Sequence, residues 1–213
     1  MVQLISGTTT SPPTRRLMIF IDGGYLRNGV NHVLGDTKAD KKISYRELKD
    51  FIVSQVAKEG IQPELIRAYY YDAIVDSEKY PEESKKQKAY FAKVQKRKSY
   101  ELRLGRLVKT QDGYRQKGVD IQLTLDMLSK GFLGHYDVAA FVGGDDDFRD
   151  LIYAVKNLAG RRVFGFYFSY NTHDEMKDSF DVEIVLTKAK VENIMLKKED
   201  SQNLPSKLSI SKK

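Results

Sequence analysis

Cysteine is absent from the 213-residue chain, which excludes disulfides and thiolate–metal sites together. Histidine is scarce. His32, His135 and His173 are the only three, and their spacing fits no metal-ligand pattern. Long apolar runs are missing too: none approaches the ~20 residues of a membrane-spanning helix, and the longest break at charges within about ten. The opening MVQLISGTTTSPPTRR has neither the basic start nor the apolar stretch of a secretion signal. A cytoplasmic setting without a membrane partner is the expectation.

What is present reads as one globular core. Hydrophobic residues make up 41% and charged residues 31%, outside the disordered and membrane ranges, and a second domain would be cramped at this length. The net charge of +7 favours an anionic partner. Part of that excess lies from Lys188 onward, where seven lysines face three acids; for this segment alone, solvation is the simpler reading.

Residues 1 to 15 are polar, hold Pro12–Pro13, and read as a flexible lead. RLMIFID (16–22) is a continuous apolar run ending in an acid, as in a strand buried on both faces. YRELKDFIVSQVAKEG follows as a helix with Ser44 as N-cap, then LIRAYYYDA as an aromatic strand. PEESKKQKAYFAKVQKRKSYE is a charged helix opening at Pro81. LRLGRLVKT is a further strand, GVDIQLTLDMLSKG a helix between glycines, and YDVAAFVGG another buried strand. DFRDLIYAVKNLAG is helical, RRVFGFYF and DVEIVLT are the last strands, and 188–213 is a basic polar tail with at most a short helix near 191–196. This alternation predicts a three-layer α/β sandwich around a central, mainly parallel sheet.

In such sheets ligands gather beyond the carboxyl ends of the strands, and acids collect there. IFIDGG, QKGVDIQLTLD and FVGGDDDF share one grammar: an apolar element, glycine, then aspartate where the backbone leaves the core. Asp145, Asp146 and Asp147 are consecutive, and two charges ~4 Å apart repel by roughly 4 kcal/mol at an effective dielectric of 20. Either the acids point apart into water or a cation sits between them. Taken singly, Asp120, Asp146 and Asp147 read more readily as helix starts or caps, and Asp22 as a turn residue; it is their recurrence together that weakens that reading.

FIDGGYL, KGVDIQLTLDML and FVGGDDDFRDLI, in this order, resemble the NYN-domain family, the branch of PIN-like nucleases that includes the LabA-like proteins. HDEMKDSFDVEIVL extends the likeness, which covers residues 16–187. The resemblance implies a PIN-like fold and a Mg²⁺- or Mn²⁺-dependent ribonuclease acting on RNA, single-stranded by preference. The family's first-strand aspartate falls on Asp22, its helix-start acid on Asp120, and its Gly-Asp-x-Asp-Phe pair on Asp145 and Asp147. These four would be the metal and catalytic residues. Asp146 fills the variable slot and is expected to face water; Asp181 takes the pre-strand position. Asp126 is matched too, but lies about 240° around a helix from Asp120. Many family members carry asparagine three residues after the first aspartate, where this chain has Tyr25, with Asn28 beyond it. Tyr25, Asn28 and Lys117 are the expected substrate contacts, Lys117 serving phosphate or merely flanking a turn.

Two further segments have functional and plain readings. The basic residues of 85–98 interleave with Tyr90 and Phe91, which would either stack on bases or pack inward. Tyr69, Tyr70 and Tyr71 alternate across their strand, so core packing is the simpler role. The rival of a different class is a catalytically silent RNA-binding or scaffold module. An aspartyl phosphotransferase would need an acid where Gly24 stands, and a dinucleotide fold would need spaced glycines that IDGGYLRNG lacks. Self-association, as a homodimer, stays open.

Overall fold

The structure, a computed structural model, describes residues 11–110 and 113–196. In chain order the elements are β1 (Thr14–Asp22), α1 (Gly23–Leu34), α2 (Tyr45–Ala57), β2 (Gln62–Val75), α3 (Pro81–Gln95), β3 (Tyr100–Thr110), β4 (Gly113–Lys117), α4 (Val119–Phe132), β5 (Val138–Val142), α5 (Arg149–Asn157), β6 (Arg162–Tyr167), α6 (Asp174–Asp178), β7 (Val182–Val185) and α7 (Lys188–Asn193). They build one sheet of order β4-β3-β2-β1-β5-β6-β7. Every pairing is parallel except β3 with β4, so the mainly parallel α/β sandwich is what the chain forms.

The buried run of β1 explains the layering. Successive side chains of a strand point to opposite faces, and Leu17, Ile19 and Ile21 enter one core while Met18 and Phe20 enter the other. Helices α1, α2, α3 and α7 cover the first face with Leu26, Leu48, Ile52, Phe91 and Val191. Helices α4, α5 and α6 cover the second with Leu123, Met127, Ile152, Val155 and Met176. Tyr70 joins the first core and Tyr69 and Tyr71 the second, so the tyrosine run is packing. Phe91 is buried, and the Tyr90 hydroxyl bonds that of Tyr45, which places the aromatics of α3 inward.

Ser44 does cap α2, accepting the Glu47 N–H at 3.4 Å, and Pro81 opens α3. The segment assigned to the tail from 188 starts inside the fold. Val191 and Ile194 are fully buried, and the Leu196 N–H donates to the Lys42 carbonyl at 2.8 Å. Burying those two aliphatic side chains is worth about 1.5–3 kcal/mol each. Most of the lead, 1–10, and of the basic tail, 197–213, lies outside the described residues. Among the described residues no helix is long and apolar enough to cross a membrane.

Chain order reverses beside β1: β2 lies on one side of it and β5 on the other. That is the switch point of a doubly wound sheet, where a crevice opens past the carboxyl ends. Asp22 ends β1, and Gly143–Gly144–Asp145 follow β5.

Candidate active site

Asp22 has two roles at once. Its Oδ1 accepts the Tyr25 N–H at 2.9 Å, capping α1, and the same carboxylate faces other acids. Burial pushes its pKa up to about 6; the bond from Tyr25 opposes this, and the charges of Asp120 and Asp72 add to it. Asp120 stands in the exposed first turn of α4, after Gly118 at φ +80°, a left-handed conformation suited to glycine. Its pKa is raised as well, by partial burial and then by Asp145 and Asp147. A first-turn carboxylate is normally favoured by the helix dipole; here burial outweighs that preference, and the like charges of Asp145 and Asp147 add to it. Residues about a hundred positions apart thus feel one another.

Asp145 caps the short 3-10 turn Asp146–Phe148, its Oδ1 accepting the Asp147 N–H at 3.2 Å. Gly144 lets this turn sit close to its neighbours. A Cβ there would stand 2.2 Å from the Thr172 hydroxyl and 2.4 Å from that of Tyr25. Asp146 does not simply face water: one carboxylate oxygen bonds His173 Nδ1, and the other is buried without a partner. That contact raises the His173 pKa. Asp147 is exposed beside Asp145.

The expected substrate contacts fall differently. Tyr25 is half-buried, and its hydroxyl is already taken up: it accepts the Phe168 N–H at 2.8 Å and shares a 2.8 Å bond with Thr172. Its ring lines a depression of about 290 Å³ with Gly144, Asp145, Asp146, Asn171 and His173. Asn28 is exposed one turn along α1. Lys117 is exposed, ends β4 opposite Arg106, and precedes Asp120 by three residues.

Two of the weaker candidates stand apart from the cluster. Asp126 accepts the Tyr71 hydroxyl at 3.0 Å and pairs with Arg103 at 3.3 Å and with Lys130, fastening α4 to the sheet. Asp181 accepts the Val163 N–H at 2.7 Å and pairs with Lys156 at 3.2 Å. Val163 lies at the amino end of β6, so Asp181 is at the edge of the sheet opposite Asp22 and Asp145.

Sequence reasoning missed Asp72 and Arg27. Asp72 is fully buried on β2, directly after Tyr71, the register partner of Asp22. Arg27 from α1 holds it through Nε at 3.1 Å and Nη2 at 2.9 Å, and the Ala73 N–H donates at 2.8 Å. Burial raises the Asp72 pKa while Arg27 lowers it. The available signal was an acid inside the apolar run YYYDAIV, on the strand beside Asp22.

An all-carboxylate donor set suits a hard divalent cation, and Asp22 and Asp120 carry mutual repulsion that such an ion would relieve. Among the described residues, however, no three acidic or histidine side chains are drawn close enough to form a ready cage. Mg²⁺ keeps several of its waters and needs only one or two direct carboxylates, so the donors fit in kind.

Comparison with known proteins gives a family. The family model described as the NYN domain matches residues 16–187, most of the chain. Among solved structures, a protein of unknown function from Vibrio parahaemolyticus is similar, with 16% identity and a TM-score of 0.58, over 85% of this chain and 96% of that one; at this identity the likeness concerns the fold. A Sir2 enzyme structure aligns over 86% of this chain and 90% of its own, at 10% identity and a TM-score of 0.34, too low to carry argument. No curated protein matches.

Proposed function

The chain belongs to the NYN domain family, a nuclease-type fold, and on that premise we propose that it is a LabA-like, divalent-metal-dependent endoribonuclease. The observation that carries this reading is topological: Asp22 ends β1 and Asp145 follows the neighbouring β5, so both lie at the switch point of the sheet, where the charge of Asp120 also reaches Asp22. Asp22, Asp120 and Asp145 would hold Mg²⁺ or Mn²⁺, directly or through water, with Asp147 completing the set. The bound ion would supply an activated water and offset charge on the scissile phosphate.

The remaining work falls to the chain's own groups. Arg27 balances Asp72, so that the second acid beside Asp22 does not add an uncompensated charge beneath the site. The Tyr25–Thr172–Phe168 bonds and the Asp146–His173 contact hold the glycine turn that presents Asp145. Lys117, exposed and three residues before Asp120, would meet a substrate phosphate. Single-stranded RNA is the substrate class the family favours.

The rival, a silent RNA-binding module on the same fold, draws on one observation, the absence of a ready three-acid cage among the described residues. Labelled RNA incubated with Mn²⁺ and with chelator separates the two. Cleavage that needs the metal and falls by at least about 100-fold in Asp145→Asn supports the nuclease. Intact RNA across many sequences, bound equally by both proteins, supports the module.

A further inference from the structure

Helix α4 has two apolar faces. Val119, Leu123, Met127 and Gly131 are buried against the sheet, as one amphipathic stripe requires. A second stripe runs through Ile121, Leu125, Leu128 and Phe132, at spacings of four, three and four. Ile121 is 65% exposed, Leu125 62% and Phe132 55%, with Leu128 partly buried between them. This is the spacing of a helix-to-helix seam.

The stripe continues onto the neighbouring helix end. Leu133 is 69% exposed, and on or just after α5 Tyr153 is 40% and Leu158 71% exposed. The ends of α4 and α5 meet, since a Cβ on Gly131 would stand 3.4 Å from Ala159. Six of the eight large exposed hydrophobics among the described residues therefore belong to this one layer, whereas scattered ones would need no account. At the lower end of the ~150–250 Å² of a large side chain, they leave on the order of 500 Å² bare in sum, a large part of the ~800 Å² that each partner gives a standard interface.

Charge is arranged to match. Between Ile121 and Phe132 the only charged residues are Asp126 and Lys130, which pair with each other and with Arg103. No uncompensated charge stands on the stripe, as in the core of an interface.

We propose that this face binds a second copy of the chain, α4 against α4, antiparallel about a two-fold axis between Asp126 and Met127. Self-complementarity favours a copy over another occupant: with that axis Ile121 meets the partner's Phe132 and Leu125 meets the partner's Leu128, an isologous contact. Such a pair sets the two Asp120 residues roughly 20 Å apart along the helix axes, at a rise of ~1.5 Å per residue, so both acidic crevices open beside one seam.

Sedimentation of the full chain at tens of micromolar tests this. Wild type is expected at twice the chain mass of 24.4 kDa, and Leu125→Glu and Phe132→Glu at the single mass. Both substitutions are on exposed positions, and circular dichroism melts confirm that the variants fold. Ile121→Lys alone is monomeric, and mixing it with Phe132→Glu restores the double mass through a lysine facing a glutamate. Wild type at the single mass, dimers that persist in both glutamate variants, or a mixture that stays monomeric would each overturn the proposal.

Discussion

Asp22 carries opposing demands in one side chain. As an N-cap it should be ionised and bonded to Tyr25; as a buried carboxyl, further disfavoured by the charges of Asp120 and Asp72, it resists ionisation, with its pKa pushed up to about 6. The sign of the linkage follows. The folded state binds this proton more tightly than the unfolded chain, so the contribution of Asp22 to stability is greatest in acid and is lost as pH rises from about 4 through about 6. Asparagine caps a helix nearly as well as aspartate but bears no charge. Asp22→Asn should therefore be more stable than wild type at pH 7, by about 1–3 kcal/mol for a shift of this size, and indistinguishable from it below pH 4. Urea melts at both values, with chelator present, measure the difference. Equal stability at pH 7 would mean that neither burial nor the nearby acids disfavour the charge on Asp22. At this scale the sequence was readable where an acid follows glycine or ends a strand, as Asp22, Asp120 and Asp145 do. It was unreadable where the partner is set by packing: nothing in YYYDA names Arg27, and nothing in GGDDDF names His173.

Among the elements, α1 is one that pattern reading left out, and its glycines are the reason. Gly23, Gly24 and Gly29 within GGYLRNG look like turn chemistry, yet they lie in a helix because aromatic rings need the space. A Cβ on Gly23 would stand 2.5 Å from the Tyr70 ring, and one on Gly29 2.0 Å from that of Phe168. Phe168 is also the residue whose N–H anchors Tyr25, so this contact seats α1 and the end of β6 together. Gly29→Ala makes the consequence measurable. In an open helix it would stabilise by about 1 kcal/mol; here it should destabilise by about 1–3 kcal/mol through overpacking. A rise in the urea midpoint would show that the ring moves aside freely. By contrast α2, α4 and α5 were legible because their apolar spacing is regular and their ends carry caps or glycine. β4 was not, since an antiparallel edge strand after a β–α–β pattern follows from hairpin pairing rather than from apolar periodicity.

The site belongs to the whole molecule, because only the sheet order brings its parts together. Alternating strands and helices predict a parallel sheet and a carboxyl edge, but not that β5 lies beside β1; that pairing brings the turn that holds Asp145 to the same edge at which Asp22 ends β1, while Asp181 lies at the opposite edge. A cation that binds this edge binds only the folded chain and must stabilise it by mass action, by ~2.7 kcal/mol at a hundred times its dissociation constant. For a domain of this size, at 2–4 °C per kcal/mol, the melting temperature should rise by roughly 5–10 °C. Mn²⁺ titrated into wild type at neutral pH should give that rise, and below pH 6 the rise should shrink as protons compete for Asp22. Asp145→Asn should lose most of it. Asp181→Asn should keep it, since that carboxylate serves Val163 and Lys156 at the opposite edge. A melt that ignores Mn²⁺, or one in which the two variants respond alike, would separate these acids from any shared ion and leave their repulsion as a purely structural cost.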